Sequence, residues 1–331
     1  MTGRIFTALV MTLASLCAYP SSYTKDVWHA LERGADVDVL FRVVDDEGVP
    51  VDGASCSGWL YQEGVKGQGS GYSGTTDTNG CFRVRGKCGE WFSLVVRKEG
   101  HYKSMIKTKY PADTAAPAVV DGKWQPYGET RNVVLKGIKH PHPMLGPDCT
   151  IQRKRTRYDE WLAFDLEKAD FLPPIGEGSS KDMLVRYHLE GVMPHDWSLT
   201  MEVSFENNPY AGAYRLKKDS WSDMKSSYCV DTNATYQTNF MFRYSHRKGE
   251  YPSVDMLKED EYMVFRTRTK VDRDGRLVSA RYGKIYGPWL FADAGGFKIS
   301  RVLMNVADND LNLEDDRTAA RVHVLEEPAA N

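Results

Sequence analysis

The chain has 331 residues, a formal net charge of −2, 27% charged residues and 11% aromatic residues. A near-neutral chain of this composition gives no electrostatic support for binding nucleic acid or an anionic membrane surface. Its length is sufficient for two domains of roughly 100–200 residues each.

The first 18 residues are typical of an export signal. Arg4 is the only charged residue before Lys25, and an apolar run from Ile5 to Leu16 follows it. This run is shorter than the roughly 20 apolar residues that span a bilayer, which predicts a cleaved signal peptide over residues 1–18. We therefore expect an exported protein, periplasmic, on the cell surface or secreted, with no membrane span after cleavage. An uncleaved N-terminal anchor is the alternative.

Five cysteines remain after removal of the signal peptide. Because exported proteins form disulfides, we expect one bridge in each half of the chain. In the first half, Cys56 would pair with Cys81 or Cys88, and the spacing does not decide between them. Cys149 and Cys229 would pair in the second half. A zinc site is disfavoured, since the first half has no Cys-x-x-Cys motif.

Residues 19–36 are expected to form a short helix or a linker. Thr24 is a candidate N-cap, Val27 and Leu31 lie on one apolar stripe, and Gly34 is a candidate C-cap.

Residues 37–139 have the pattern of a β-sandwich. Apolar and polar residues alternate from Val37 to Val43, and turns rich in Asp, Asn and Gly separate the later strands. The segment from Glu63 to Gly74 holds five glycines and is expected to be a loop. The strand from Arg131 to Leu135 is expected to close the sandwich.

Three phrases in this region carry a family resemblance: VVDDEGVPVDGASC, GTTDTNGCFRV and LVVRKEGHYKS. Residues 37–107 resemble the carboxypeptidase regulatory-like domain, a transthyretin-like or Ig-like sandwich of seven strands that is common in exported bacterial proteins. The resemblance implies a structural or presenting module without catalytic residues. The chain departs from the family in its three cysteines and in its glycine-rich segment.

A Pro-rich linker at residues 140–147 is predicted to be stiff, and it precedes a second β-rich domain at residues 148–320. Strict alternation over residues 199–205 predicts a strand with one buried face. An Asp-Gly turn predicts a hairpin over residues 263–286. Residues 321–331 form a tail.

The second half also resembles a known group in the phrases FDLEKADFLPPIGEG, FRTRTKVDRDGRLVSARYGKIYGP and NVADNDLNLEDD. Most of residues 164–316 look like a group of exported bacterial proteins that pair a regulatory-like sandwich with a second β domain. This resemblance implies architecture only.

Candidate calcium ligands are concentrated near the C-terminal end of the chain. They are Asp308, Asp310, Asn312 and Glu314. Leu313 stands where an EF-hand loop needs glycine and Ala319 where it needs glutamate, so an EF-hand is excluded. Calcium bound in another geometry and a solvated acidic turn are the two interpretations, and no other cofactor is predicted.

Aromatic residues interleaved with acids and amides indicate a candidate ligand site in the second domain. Its members are Trp197, Tyr210, Tyr214, Trp221 and Asp219. Exposed rings stack on sugar faces while neighbouring polar groups bind hydroxyls. The alternative is that these rings fill the core and anchor loops.

No catalytic motif is present: Gly-x-Ser-x-Gly, His-Glu-x-x-His and the P-loop are all absent from the sequence. Glu202, Glu206 and Asp219 could supply a pair of carboxylates for glycoside hydrolysis, but acids this common give a weak signal.

We therefore predict an all-β protein with two sandwich-like domains and no enzymatic activity, acting in the cell envelope or secreted. Its second β domain is expected to bind glycan or an envelope protein. An extracytoplasmic hydrolase of glycan or peptide and a subunit of a surface assembly are the alternatives.

Overall fold

The protein is all-β. The computed structural model describes residues 23–62, 69–110, 118–147, 151–153, 157–192, 196–206, 209–218, 221–250, 253–292 and 296–324. The predicted signal peptide, Cys149 and Asp219 lie outside these ranges. Among the described residues, no helix is long and apolar enough to cross a bilayer.

The predicted short helix forms as α1 (Lys25–Arg33). The Val27 N–H donates to Thr24 Oγ1 at 3.3 Å, which satisfies a free amide of the first turn. Val27 and Leu31 are buried against the first sandwich, as the apolar stripe predicts.

The first sandwich is built from two sheets that enclose one apolar core. One sheet has the order β4-β1-β8-β7 with β9 also paired to β1, and the other has the order β3-β2-β5-β6. The strands are β1 (Ala35–Val44), β2 (Ser55–Tyr61), β3 (Gly69–Thr75), β4 (Cys81–Cys88), β5 (Trp91–Arg97), β6 (Ser104–Lys109), β7 (Val119–Val120), β8 (Lys123–Trp124) and β9 (Glu129–Val134).

Part of the glycine-rich segment is a strand, so the prediction of a loop from Glu63 to Gly74 is wrong for its second half. β3 pairs antiparallel with β2 along its whole length, with Gly71 opposite Trp59. The hydrogen bonds between β2 and β3 satisfy the backbone N–H and C=O groups of β3, and this pairing overrides the low strand propensity of glycine.

Cys56, Cys81 and Cys88 are free thiols, so the disulfide predicted in the first half is not formed. Cys81 and Cys88 stand at opposite ends of β4, about 23 Å apart at strand rise. Cys56 on β2 and Cys88 on β4 are both buried in the core between the two sheets. Burial raises the pKa of Cys56 and of Cys88 to about 12, which keeps both thiols protonated. Cys229 is also free and exposed.

The second sandwich has two larger sheets. Their orders are β10-β21-β20-β19-β16, with β11 also paired to β21, and β13-β12-β14-β15-β17-β18. The elements are β10 (Met144–Leu145), β11 (Ile151–Arg153), β12 (Leu162–Asp165), β13 (Asp170–Phe171), β14 (Met183–Val192), β15 (Asp196–Ser204), β16 (Gly212–Lys217), β17 (Asn239–His246), β18 (Ser253–Asp255), β19 (Glu261–Val271), β20 (Leu277–Ala292), β21 (Gly296–Asn305) and α2 (Asp316–Val324).

The predicted hairpin of the second half is confirmed, and the alternating segment is a strand. The prediction that only one of its faces is buried is wrong, because Ser198, Thr200 and Ser204 on the other face are buried too. β15 contains the alternating segment, and β19 and β20 form the hairpin around the Asp272–Gly275 turn. The two sheets enclose a core in which Phe242 packs against Trp289 with ring centroids 5.2 Å apart.

The Pro-rich segment lies along an edge of the second sandwich. Its last residues form β10, which pairs with β21, and the His142 N–H donates to Glu314 O at 3.1 Å.

The buried Glu314 carboxylate connects the first sandwich, the Pro-rich segment and the end of the second sandwich. It accepts hydrogen bonds from the Tyr102 hydroxyl at 2.9 Å, the Lys139 N–H at 2.7 Å and the His140 N–H at 2.5 Å. Tyr102 also packs on Met224 in a small apolar cluster between the two sandwiches. A buried acceptor with this many donors fixes the position of each.

A network of salt bridges around Arg268 connects the two sheets of the second sandwich. Arg268 pairs with Asp182 at 2.9 Å, with Asp165 at 3.3 Å and with Glu167. Burial raises the pKa of Asp182, and Arg268 opposes that rise. One guanidinium therefore balances three carboxylates in a largely dry environment.

Replacing Glu314 by alanine should lower the free energy of unfolding by about 2–4 kcal/mol, because it leaves the buried Tyr102 hydroxyl and two partly buried backbone N–H groups without their acceptor. Urea unfolding at neutral pH measures this change. Glu250 is exposed, and Glu250→Ala should change stability by less than about 0.5 kcal/mol. Equal effects of the two substitutions would contradict the assignment of Glu314.

Replacing Arg268 by glutamine should cost about 3–5 kcal/mol at neutral pH, since Asp165 and Asp182 are left buried without a cation. Burial then raises the folded-state pKa of Asp182 above its unfolded value without opposition from Arg268, so protonation of Asp182 favours the folded state and the loss should shrink as the pH falls towards about 5. The hydrogen bonds that keep the pKa of Asp165 low remain in place. Urea unfolding at the two pH values tests this. Arg186→Gln, which breaks a half-exposed pair with Glu202, should cost less than about 1 kcal/mol. A loss for Arg268→Gln that grows on acidification would refute the prediction.

Candidate functional site

Three aromatic side chains share the outer face of the β3-β2-β5-β6 sheet. Trp59 and Tyr61 are two residues apart on β2, and the residues between and before them, Leu60 and Gly58, point into the sandwich. Trp91 stands on the neighbouring strand β5, next to Tyr61. We call Trp59, Tyr61 and Trp91 the aromatic face.

The Trp59 indole lies flat on the glycines of β3. A Cβ atom placed on Gly69 would overlap Trp59 Nε1, and one placed on Gly71 would come within 3.0 Å of Trp59 Cζ3. The indole therefore spans both glycines, with its five-membered ring over Gly69 and its six-membered ring over Gly71. Trp59 remains 38% exposed, so its other surface is open to solvent.

The rest of the aromatic face is a rigid pair of rings. Tyr61 and Trp91 stack with centroids 3.6 Å apart and an interplanar angle of 15°. Ser57 lies on the same face of β2 and is half-buried, whereas Ser93, which register places directly beside Trp59, is buried. Exposed rings with a neighbouring hydroxyl match the alternating apolar and polar surfaces of a sugar.

Lysines continue this surface across β6. Lys107 stands in the row of Trp59 and Ser93, two strands or about 10 Å from Trp59. Lys109 stands in the row of Trp91 and pairs with Glu90 at 2.9 Å. Both ammonium groups therefore lie on the edge of the aromatic face.

Beyond β6 the surface descends into a cleft of about 320 Å³. The cleft separates β6 from β9, and its lining consists of Phe41, Ile106, Lys107, Thr108, Lys109, Arg131, Asn132 and Trp221. The Arg131 guanidinium is held across the opening, because Nη1 donates to Thr108 Oγ1 at 2.7 Å and Nη2 pairs with Glu129. We call this region the edge cleft.

Trp221 belongs to the second half of the chain but extends the sheet of the first sandwich. The Met105 N–H donates to Trp221 O at 3.0 Å, and Ser104 and Ser222 form a β-bridge. This register places Trp221 on the same side as Met105 and Trp59, about 16 Å from Trp59. Trp221 is 49% exposed.

The Lys218 ammonium lies over the Trp221 ring, 4.9 Å from its centroid. Burial lowers the pKa of Lys218 to about 8, and the nearby cation of Lys225 acts in the same direction. The nearby carboxylates of Glu259 and Asp223 oppose these effects only in part.

The structure does not assemble the aromatic site predicted in the second domain. Trp197 and Tyr214 are buried, Trp197 in the main core and Tyr214 in a smaller cluster. Tyr210 is exposed, but its hydroxyl donates to Gly275 O at the hairpin turn. Asp219 lies outside the described residues. Of the predicted set, Trp221 lines the edge cleft.

The predicted calcium ligands do not converge. Asp308 pairs with Arg281 at 2.7 Å and with Lys270 at 3.2 Å, and the hydrogen bond from Arg281 holds its pKa below the usual range. Asp310 and Asn312 accept backbone N–H groups within their own turn, while Glu314 faces Tyr102. In the ranges given above, no three His, Cys, Asp or Glu side chains are grouped to hold a metal ion.

The carboxylates considered for hydrolysis are engaged by neighbours: Glu202 accepts from Arg186 Nε at 2.9 Å, and Glu206 accepts from Asn239 Nδ2 at 2.6 Å. A different pair has the chemistry of a nucleophile and a base, since Lys284 Nζ lies 3.1 Å from Ser226 Oγ. Both side chains are buried, and Lys284 also donates to Leu313 O. A substrate has no access to this pair, which links the strands around it.

Sequence reasoning missed the aromatic face, although a signal for it was present. Trp59 and Tyr61 alternate with Gly58 and Leu60, the spacing that puts two rings on one side of a strand. The partner glycines fall in a segment whose composition predicts a loop, so nothing indicated a sheet under the rings.

Comparison with known proteins does not identify a family. No family model matches the chain, and no curated protein matches it. Among solved structures it is similar to 3-chlorocatechol 1,2-dioxygenase from Rhodococcus opacus 1CP, with 15% identity, 32% of this chain and 61% of that chain covered, and a TM-score of 0.25. It is also similar to chlorocatechol 1,2-dioxygenase from Pseudomonas putida, with 16% identity, 34% and 62% coverage and a TM-score of 0.25.

A third similar structure is the dioxygenase domain of a dioxygenase carbohydrate-binding protein fusion from Streptomyces sp. SirexAA-E. It has 16% identity, 31% of this chain and 81% of that domain covered, and a TM-score of 0.25. This chain thus spans less than two thirds of the two chlorocatechol enzymes. Likenesses this low in TM-score carry no inference about activity, metal content or substrate.

The lowered pKa of Lys218 should make its amine unusually reactive. At about pH 8.5 most Lys218 amines are neutral, whereas an ordinary lysine is almost fully protonated, so acylation should be about tenfold faster or more. Mass spectrometry of peptides after brief treatment with an acylating reagent measures the rate, with the exposed Lys248 as the internal reference. Equal rates at the two lysines would contradict the burial of the Lys218 amine.

Proposed function

We propose that this protein is an exported, non-enzymatic binding protein of the cell envelope, and that the aromatic face binds glycan. The observation that carries the proposal is the Trp59 indole, which lies flat on Gly69 and Gly71 with its outer surface open. A flat ring fixed in this way can stack on a pyranose without losing side-chain freedom on binding.

The surroundings of Trp59 support glycan over an apolar ligand. The half-buried Ser57 supplies a hydroxyl on the same face of the sheet, and the exposed Lys107 supplies hydrogen-bond donors in the row of Trp59. Trp221, exposed on the extended sheet, provides a second ring for a longer chain of sugars. In this proposal the first sandwich is the recognition module, as a presenting domain of the carboxypeptidase regulatory-like type would be.

Binding is favoured over hydrolysis because the acidic groups nearest the aromatic face are already paired. Glu90 pairs with Lys109 and Glu129 with Arg131. Neither carboxylate is placed as the isolated general acid that glycoside cleavage requires.

Trp59→Ala should weaken glycan binding roughly tenfold or more, since it removes the central stacking surface. A glycan-array screen of the mature chain identifies bound sugars, and titration with one of them compares the variants. Trp161→Ala is the matched control, because Trp161 is 42% exposed on the second sandwich and its loss should leave affinity unchanged.

Gly71→Ala gives an independent test that keeps the indole. The added Cβ would come within 3.0 Å of Trp59 Cζ3 and displace the ring by a few tenths of an ångström, so binding should weaken by less than in Trp59→Ala while the chain stays folded. A folded protein that binds no glycan on the array, or one whose binding survives both Trp59→Ala and Gly71→Ala, would refute the proposal.

A further inference from the structure

The cations around the edge cleft exceed the acids that pair with them. Four basic side chains surround it or lie on its tryptophan: Lys107, Lys109, Arg131 and Lys218. Two acids in the described part of the chain form salt bridges with them, Glu90 and Glu129. The whole chain has a net charge of −2, so this local excess of positive charge runs against the average.

Two of these cations have no acidic partner among the described residues. Lys107 and Lys218 form no salt bridge there: Lys107 lines the edge cleft together with Trp221, and Lys218 lies over the Trp221 ring. Lys218 is also partly withdrawn from water and close to Lys225, and the nearby acids Glu259 and Asp223 offset these effects only in part. A bound anion would further offset the desolvation and repulsion of this ammonium.

The guanidinium of Arg131 is fixed at the edge cleft, where Nη1 donates to Thr108 and Nη2 pairs with Glu129, so little side-chain entropy is lost when a ligand binds. Glu129 neutralises this guanidinium, and the uncompensated charge beside the cleft is therefore that of Lys107. Asn132 lines the same cleft and adds a neutral hydrogen-bonding group. An ammonium with an amide neighbour suits a carboxylate or a sulfate.

The edge cleft continues the aromatic face, because Lys107 and Lys109 belong to both. Sugar rings stacked along the face would therefore carry their substituents to the cleft. We propose that the ligand is an acidic glycan, whose carboxylate or sulfate group binds in the edge cleft between Lys107, Arg131 and Trp221. This inference rests on the glycan-binding function proposed above and narrows its substrate class.

Two matched pairs of polymers test the inference on the mature full chain. Polygalacturonate and its methyl ester differ in carboxylate charge, and dextran sulfate and dextran differ in sulfate charge. We expect the charged member of at least one pair to bind roughly tenfold or more tightly, with an affinity that falls as salt is added. The pair that shows the preference distinguishes carboxylate from sulfate.

Lys107→Gln should reduce binding of the preferred charged polymer roughly three- to tenfold, and Lys107→Arg should retain it. Lys107 is exposed, so neither change threatens the fold. Lys248→Gln is the matched control, since Lys248 is an exposed lysine of the second sandwich, and it should have no effect.

The outcomes separate this inference from the proposed function. Equal binding of charged and neutral polymers that is lost in Trp59→Ala would refute the acidic ligand and leave glycan binding intact. Binding of charged polymers that ignores Trp59→Ala would refute both. Absence of binding to all four polymers would refute the acidic ligand, and the array would then decide the proposed function alone.

Discussion

The space above Gly69 and Gly71 determines what the outer surface of the first sandwich can do. A side chain at either position would occupy the volume that the Trp59 indole fills. With glycine at both positions, the Trp59 ring packs directly on the backbone of β3. Glycine has a low strand propensity, and the backbone hydrogen bonds between β3 and β2 offset this disadvantage.

The position of Trp221 makes the edge cleft depend on both halves of the chain. Its backbone extends the sheet at β6, yet it is carried by the second half of the chain. Glu314 holds Tyr102 of the first sandwich to the Pro-rich segment, and Lys136 Nζ donates to Ser226 O at 2.9 Å near the same boundary. These buried polar contacts stabilise the contact between the two sandwiches, and they thereby help to hold Trp221 beside β6 at the edge cleft.

The sequence pattern predicted those strands and turns that are determined by their own residues, through alternation of apolar and polar side chains or through a specific turn. The alternation around Val39 and Phe41 and the Asp-Gly turn at Gly275 each became the expected strand or hairpin. β3 could not be predicted, because its order comes from partners on β2. Trp197 was predicted to bind a ligand because it lies in a segment rich in aromatic and polar residues. It points to the same side of β15 as the buried Leu199 and Met201, so the alternation indicated a core position instead.

The most direct test of the proposed binding surface is to observe the indoles of the aromatic face and of the edge cleft while a ligand binds. The chain has eight tryptophans, so a ¹⁵N-labelled protein gives a small set of indole N–H resonances, which single substitutions assign. On titration with a galacturonate oligomer, or with a sugar found on the array, the resonances of Trp59 and Trp221 should shift while those of Trp161 and Trp289 stay fixed. Binding that shifts Trp161 or Trp289 and leaves Trp59 and Trp221 unmoved would contradict the account.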